Sequence, residues 1–476
     1  MASALNPDIC VIGAGSGGLS VAAAAAQLGV DVVLIEKGKM GGDCLNYGCV
    51  PSKAMIAAGK RAQGMREADK YGIRPVEPKI GYGPLNDHIK GVIKAIEPND
   101  SVERFTGLGV NVIKAEARFK DAETVQAGDH EIRARRFVVA TGSSPGLPPI
   151  PGIADVPHFT NETIFSNRRK IDHLIVIGGG PIGMELAQAH RRLGSEVTVL
   201  EAFAPLAKDD PELTKVVLER VRGEGVQILD GIRIEALEGG EEDKGVRAKI
   251  GANGQTQWIE GSHLLVAAGR RANVDGLDLE NAGIDYDSKG IKVNKGLKTT
   301  NKRVYAIGDV AGGLQFTHMA NYHAGLVIRN ALFRLPVRVN TSAFSWVTYT
   351  DPELAHVGLS EEQARKRYGK IRILRWPYAE NDRAQAERLT EGFVKVVTNK
   401  RGRILGATIV GDHAGELIQM WVLAISKGLK IGAMTGIVSP YPTLSEINKR
   451  AAITYYLPSL TNPLIRKVIE FLRQFG

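Results

Sequence analysis

Ile9-Cys10-Val11-Ile12-Gly13-Ala14-Gly15-Ser16-Gly17-Gly18 is an apolar run that stops abruptly in glycines. The four apolar residues read as a buried strand, the glycines as a tight turn, and Leu19 to Leu28 as a helix. A second strand, Val32-Val33-Leu34-Ile35, ends at Glu36. Gly13, Gly15 and Gly18 therefore form G-x-G-x-x-G inside a βαβ unit, with an acid about twenty residues on. Such glycines let the backbone approach a pyrophosphate, whose charge rests at the helix N-terminus, and Glu36 can accept from a ribose hydroxyl. Cys10, inside the first strand, reads as packing.

The same grammar recurs. Leu174-Ile175-Val176-Ile177 leads into Gly178-Gly179-Gly180-Pro181-Ile182-Gly183, a helix from Met184 to Leu193, and Val197-Thr198-Val199-Leu200-Glu201. Gly178, Gly180 and Gly183 repeat the glycine spacing, so two complete copies argue for two nucleotide cofactors. Glu201 at the strand end favours NAD(H), because a carboxylate repels a 2′-phosphate; the first cation after it is Lys208. The fold class is α/β: two Rossmann-like dinucleotide-binding domains, followed by a smaller α+β domain.

The rest of the chain is assigned around these units. Tyr71 to Pro84 is a polar stretch, a helical pattern follows to about Arg104, and short strands run from Val110 to Ile132. Phe137-Val138-Val139 ends in Ala140-Thr141-Gly142-Ser143; Leu264-Leu265-Val266 ends in Ala267-Ala268-Gly269-Arg270; Val304-Tyr305-Ala306-Ile307 ends in Gly308-Asp309. His318 to Leu332 reads as a helix. Ser144 to Pro157 is rich in proline and glycine and marks a boundary. From Phe344 the texture becomes short strands and two helices, and Pro440 to Glu446 is a rigid turn before a further helix. The expected domains are 1–149, 150–272, 273–343 (completing the first) and 344–476.

At 476 residues, the chain is too long for one core. Its 43% hydrophobic and 24% charged residues are ordinary for a globular protein. The net charge of +9 is spread along the chain without a nucleic-acid motif, so a nucleic-acid partner is not expected. With three cysteines there is no disulfide scaffold. No cleavable leader or membrane-spanning run is read, and a reducing cytoplasm is the expected location. Two of the cysteines stand close together in Gly41-Gly42-Asp43-Cys44-Leu45-Asn46-Tyr47-Gly48-Cys49-Val50-Pro51-Ser52-Lys53, just before an alanine-rich helical run. A redox-active pair fits: the helix N-terminus and Lys53 both favour a thiolate. Two buried free cysteines are the alternative. In the tail, Pro463 to Phe475, apolar residues at helical spacing alternate with Arg466, Lys467 and Arg473. It either closes its own domain, the expected outcome, or meets a membrane surface or a partner.

Together these motifs resemble the class I pyridine nucleotide–disulfide oxidoreductases, the family of dihydrolipoamide dehydrogenase, glutathione reductase and mercuric reductase. Five segments carry the resemblance: Gly13 to Gly18, Cys44 to Lys53, Gly178 to Glu185, Ala306 to Asp309, and Pro442 to Glu446. The resemblance implies FAD, NAD(H) and a C-terminal domain that makes a homodimer. It implies FAD contacts at Gly13, Gly15, Gly18, Glu36, Lys53, Ala117, Thr141, Gly142, Ser143, Asp309, Thr317 and His318, with NAD(H) at Gly178, Gly180, Gly183, Glu201 and Gly269. Lys53 and Glu185 match the family's ion pair beside the flavin. The implied reaction passes electrons from NADH through the flavin to a Cys44–Cys49 disulfide; Cys49 stays beside the flavin, and Cys44 attacks the substrate.

Two positions depart from that family. Disulfide-reducing members carry a His-Pro followed by a Glu near the C-terminus, whereas this chain has Tyr441-Pro442 and Glu446. A tyrosine of ordinary pKa ~10 is ionised to about one part in a thousand at neutral pH, and is a poor base beside a histidine near ~6.5. Tyr441 resembles mercuric reductase, yet no cysteine follows Cys49. The sequence reading therefore puts dihydrolipoamide dehydrogenase first, acting on a small disulfide or a lipoyl carrier protein. Soft metal-ion reduction comes second, and a redox sensor without turnover is the non-enzymatic alternative. Pro181 stands where relatives often carry a gating tyrosine, which predicts an open nicotinamide pocket and leakage of electrons to oxygen. NADH consumption without acceptor should fall on removing oxygen; equal rates with and without oxygen contradict this.

Overall fold

The computed structural model describes residues 3–240, 245–252 and 254–475. They divide into two compact units: Met1–Ala58, Lys79–Gly178 and Arg233–Val339 make the first; Gly59–Pro78, Gly179–Ile232 and Asn340–Gly476 the second.

The first unit is built on a five-stranded sheet in the order Val304–Ala306, Arg136–Val139, Ile9–Ile12, Val32–Ile35, Asn111–Ile113. Every pairing in it is parallel. Parallel sheets are covered on both faces, which is why these strands are continuously apolar. Alternate residues serve different cores. Ile9, Val11, Leu34 and Val138 pack with Val21 and Ala25 of helix Ser16–Gln27 and with Val327 of helix Thr317–Ala331. Cys10, Ile12, Val33 and Phe137 face Phe119, Val125 and Ile132, which belong to a second, four-stranded sheet. Cys10 is wholly buried, and burial pushes its thiol well above the usual range.

The strand Ile9–Ile12 sits centrally, so Gly13 leaves the sheet between two neighbours. Gly13 has φ +105°, and a Cβ there would lie 2.5 Å from the Ala140 carbonyl oxygen. A Cβ on Gly18 would lie 1.8 Å from the Gly13 oxygen. Neither position admits a side chain. The first unit also holds the parallel pair His173–Ile177 with His263–Val266 and an antiparallel sheet of Arg233–Gly239, Val246–Ala252 and Gln255–Gly261.

In the second unit, Glu196–Leu200 pairs in parallel with Val226–Leu229, next to helices Pro181–Arg192 and Pro211–Gly223. Pro181 takes the first helical position, where its missing N–H costs nothing. A five-stranded antiparallel sheet follows, in the order Ser345–Thr348, Glu353–Gly358, Ile404–Gly411, Phe393–Asn399, Ile371–Pro377. Trp421, fully buried, donates from its indole to Asn448 Oδ1 (2.8 Å) within that core.

Three sequence expectations are corrected. The helical pattern to about Arg104 is two helices, Tyr82–Ile96 and Val102–Gly107, parted by a turn that carries Pro98; Ser101 caps the second by accepting from the Arg104 N–H. After Phe344 there are more than the two expected helices, among them Glu361–Tyr368, Gln419–Ser426 and Glu446–Ile453. Most are of eight residues or fewer, too short to show a period. The tail helix Pro463–Leu472 does not close its domain: all its residues are exposed, with Leu464 at 72%.

Arg192 is buried in the second unit, with Nη2 2.6 Å from Glu224 and Nη1 2.8 Å from Asp351. Arg192→Leu leaves the buried Glu224 short of its partner and should cost about 3 kcal/mol, read as a lower midpoint of thermal unfolding; an unchanged midpoint contradicts it.

Candidate active site

Cys44 lies in the short helix Gly42–Asn46, and Cys49 is the first residue of the helix Cys49–Arg66. Both are free thiols, Cys44 half-buried and Cys49 exposed. They share a hydrogen bond, and the Thr317 hydroxyl lies 3.4 Å from Cys49 Sγ. The Cys44 hydrogen bond is the largest influence drawing the Cys49 thiol down to about 6; the Thr317 hydroxyl and the Lys53 charge add to it against burial. Cys44 moves the opposite way, because it keeps the proton it donates to Cys49 and is itself desolvated. At neutral pH the pair is thus one thiolate, Cys49, supported by one thiol, Cys44.

An electrostatic frame joins this pair to the sheet's carboxyl edge. Asp43 accepts from Asn161 Nδ2 (3.0 Å) and pairs with Arg270 Nη2 (3.3 Å). The Arg270 guanidinium also donates to Ser143 Oγ and to the Ser143 carbonyl, both at 2.7 Å. Ser143 Oγ in turn donates to Asp309 Oδ2 (2.6 Å). Burial is the main force raising the Asp309 carboxyl. Thr141 is fixed twice by Asn273: its hydroxyl donates to the Asn273 carbonyl (2.7 Å), and Asn273 Nδ2 donates to its carbonyl (2.9 Å). Gly142 takes φ +70° between them. His323 Nδ1 accepts from the Gly308 N–H (3.2 Å), and burial lowers that imidazole to about 4, so it is neutral. Arg270, Asn161, Asn273 and His323 were not singled out as site residues from sequence. Arg270 directly follows Gly269 at a strand end, the one signal that marked it.

The two glycine turns are built alike. Glu36 Oε2 accepts from the Ala14 N–H and Oε1 from the Gly38 N–H, each at 2.6 Å. In the second unit, Glu201 Oε2 accepts from the Gly179 N–H (2.6 Å) and Oε1 from the Phe203 N–H (2.8 Å). The N-caps Gly15 and Gly180 offer no side chain, so each helix presents bare first-turn N–H groups to an anion. A Cβ at Gly15 would meet nothing nearer than 4.0 Å, and one at Gly180 nothing within that distance. Both turns therefore keep open the space that a dinucleotide pyrophosphate takes. Gly178 (φ +107°) repeats the close approach, here to the Ala267 carbonyl oxygen, and Gly183 lies buried in its helix.

Other expected residues fall as follows. Ala117 is buried in the strand Ala117–Phe119. Gly269 accepts at its carbonyl from the Gly146 N–H (3.0 Å). His318 is in the first turn of helix Thr317–Ala331, its ring 5.4 Å from that of Phe316. Lys53 belongs to the first unit and Glu185 to the second, where Glu185 Oε1 accepts from the Tyr349 N–H (2.8 Å). Tyr441, 71% exposed, donates to Asp382 Oδ2 (2.9 Å), and that bond raises its phenol. Glu446 accepts from Arg450 Nε (3.1 Å) within its own helix.

Residues 7–324 match the family model for pyridine nucleotide-disulphide oxidoreductases, and residues 344–452 match the dimerisation domain of the same enzymes. The chain belongs to the pyridine nucleotide–disulphide oxidoreductase family. It is 35% identical to a mercuric reductase of Bacillus cereus over 451 residues, covering 94% of this chain and 71% of that protein. It is 34% identical to a dihydrolipoyl dehydrogenase of Geobacillus stearothermophilus over 468 residues, covering 94% and 96% respectively. Among solved structures, the HOCl-induced flavoprotein disulfide reductase RclA from Escherichia coli, as its Cu(II) complex, matches with a TM-score of 0.84 at 26% identity, over 93% of this chain and 98% of that one. Oxidoreductases of this family bind FAD and use NAD(P)H, and the open glycine turns fit those groups. The dimerisation match supports a homodimer.

The thiolate assignment sets a pH profile. A depressed thiol gains reactivity as pH rises through its pKa, so alkylation of the dithiol enzyme should climb through an inflection near pH 6. Lys53→Met and Thr317→Val should each move the inflection upward, while an inflection left near an ordinary thiol value of ~8.5 contradicts the arrangement.

Proposed function

We propose that this oxidoreductase uses NADH to reduce a soft metal ion through Cys44 and Cys49. The observation that carries this reading is the bonding of Tyr441 and Glu446: the phenol hydroxyl donates to Asp382, and the carboxylate is held by Arg450. Reducing a disulfide releases a thiolate that needs a proton, and a poised base or acid speeds that step by about 10²–10⁴. No histidine follows His413 in the sequence. Reducing a metal ion consumes no proton; it only releases the one Cys44 carries, which water accepts. Soft ions favour thiolate ligands, and among the described residues no His/Cys/Asp/Glu group of three or more could hold a metal ion instead. The mercuric reductases among the relatives and the Cu(II) complex of RclA support the same direction.

FAD, when bound, carries the electron pair from the nicotinamide to the sulfur couple. The chain's own residues do the rest. The Cys49 thiolate takes the ion, Cys44 loses its proton to water as its sulfur joins the cation, Thr317 and Lys53 hold the thiolate charge, and the ion leaves reduced as the two sulfurs re-form their disulfide. One NADH supplies two electrons, which reduce one Hg(II) to the metal or two Cu(II) to Cu(I). Glu201 supports NADH over NADPH, since a carboxylate at the end of that strand repels a 2′-phosphate. The four spans given for the domains are part of this proposal, and so is a cytoplasmic location.

The second reading, dihydrolipoamide dehydrogenase, rests on the relative from Geobacillus stearothermophilus and on the retained Glu446. Anaerobic NADH oxidation with Hg(II), Cu(II), lipoamide and glutathione disulfide separates the two. Metal ions should turn over, and lipoamide should be slower by about 10²-fold or more. Tyr441→His should raise the lipoamide rate and leave the metal rate unchanged. NADPH should give a lower kcat/KM than NADH. Lipoamide turnover matching that of the metals, without gain from Tyr441→His, defeats the proposal.

A further inference from the structure

We propose that the helix Pro463–Leu472, with the turn that follows it, lies along the surface of an anionic lipid bilayer. At 3.6 residues per turn, Leu464, Val468, Phe471 and Leu472 fall together, with Ile465 and Ile469 completing an apolar arc of roughly 160°. Arg466 and Lys467 stand at the two shoulders of that arc, with Glu470 between them on the polar face. Arg473 follows at the helix end, so the segment is net positive. None of the helix is buried: Leu464 is 72% exposed, Phe471 58% and, in the following turn, Phe475 73%.

An exposed arc of this width on an independent helix needs a cover. The helix's own unit does not supply one. A bilayer does, because basic shoulders reach phosphate headgroups while leucine and phenylalanine enter the acyl boundary. No helix among the described residues is long and apolar enough to cross a membrane, so the segment lies on the bilayer. A second copy of the chain is the competing cover. The match to the dimerisation domain ends at residue 452, before this helix begins. The matched dimerisation domain thus ends before the tail, and the segment's net positive charge points to an anionic lipid.

The test is flotation of the FAD-loaded full-length enzyme with vesicles of phosphatidylcholine alone, or with about one quarter phosphatidylglycerol. The enzyme should float with the anionic vesicles and at least ~10-fold less with the neutral ones, and roughly 0.5 M salt should release it. Leu464→Glu with Phe471→Glu should abolish flotation while flavin absorbance and NADH oxidation stay unchanged. Equal flotation of the wild type and this double variant overturns the proposal. So does sedimentation without lipid in which the double variant turns dimers into monomers, because the apolar arc would then belong to a second copy.

Discussion

The absence of a side chain at Gly13 is the constraint on which the first unit depends. The central strand must leave the sheet within van der Waals distance of the Ala140 carbonyl, and a single methyl group would collide with it. Because the chain can turn there, helix Ser16–Gln27 folds back on the parallel sheet and its bare N-terminus comes to the carboxyl edge. The strands ending at Val139 and Ala306 run to the same edge. Ser143, Asp309 and the helix start at Thr317 gather there, and so do the cysteines. Close backbone approach comes first, and the chemistry is arranged around the space it leaves.

Within that space the two sulfurs are made unequal by their surroundings. One hydrogen bond lowers the affinity of Cys49 for a proton and raises that of Cys44; the Lys53 ammonium lowers Cys49 further, while the Thr317 hydroxyl acts downward on both sulfurs. The guanidinium of Arg270 then sets the positions of Asp43 and Asp309, so the acid beside Cys44 and the acid at the sheet edge answer to one cation. At Cys49 and Asp309 burial works against hydrogen bonding, whereas at Cys44 burial and the bond to Cys49 act together.

What could be read in advance follows from physical range. Glycine turns, the acids at strand ends and the cysteine pair are local patterns, and their positions in the sequence are sufficient. Asn161, Arg270, Asn273 and His323 act through partners far along the chain, as Arg270 does with Ser143, 127 residues away. No spacing announces such contacts. The identity of Tyr441 was plain, but its bond to Asp382 joins residues 59 apart. Short helices in the C-terminal sheet region had too few residues to show a period, and Pro98 cut a longer one. The tail's two-faced pattern was visible, whereas its lack of a covering surface is a tertiary fact.

Glu36 and Glu201 each brace their own loop through two backbone N–H groups. Each carboxylate thereby stiffens the loop that follows its strand. On the proposed reading, selectivity and rigidity share one carboxylate at Glu201. An engineer who exchanges Glu201 to admit a phosphorylated ribose removes a strut at the same stroke, and a successful exchange has to rebuild the loop between Gly179 and Phe203 along with the charge.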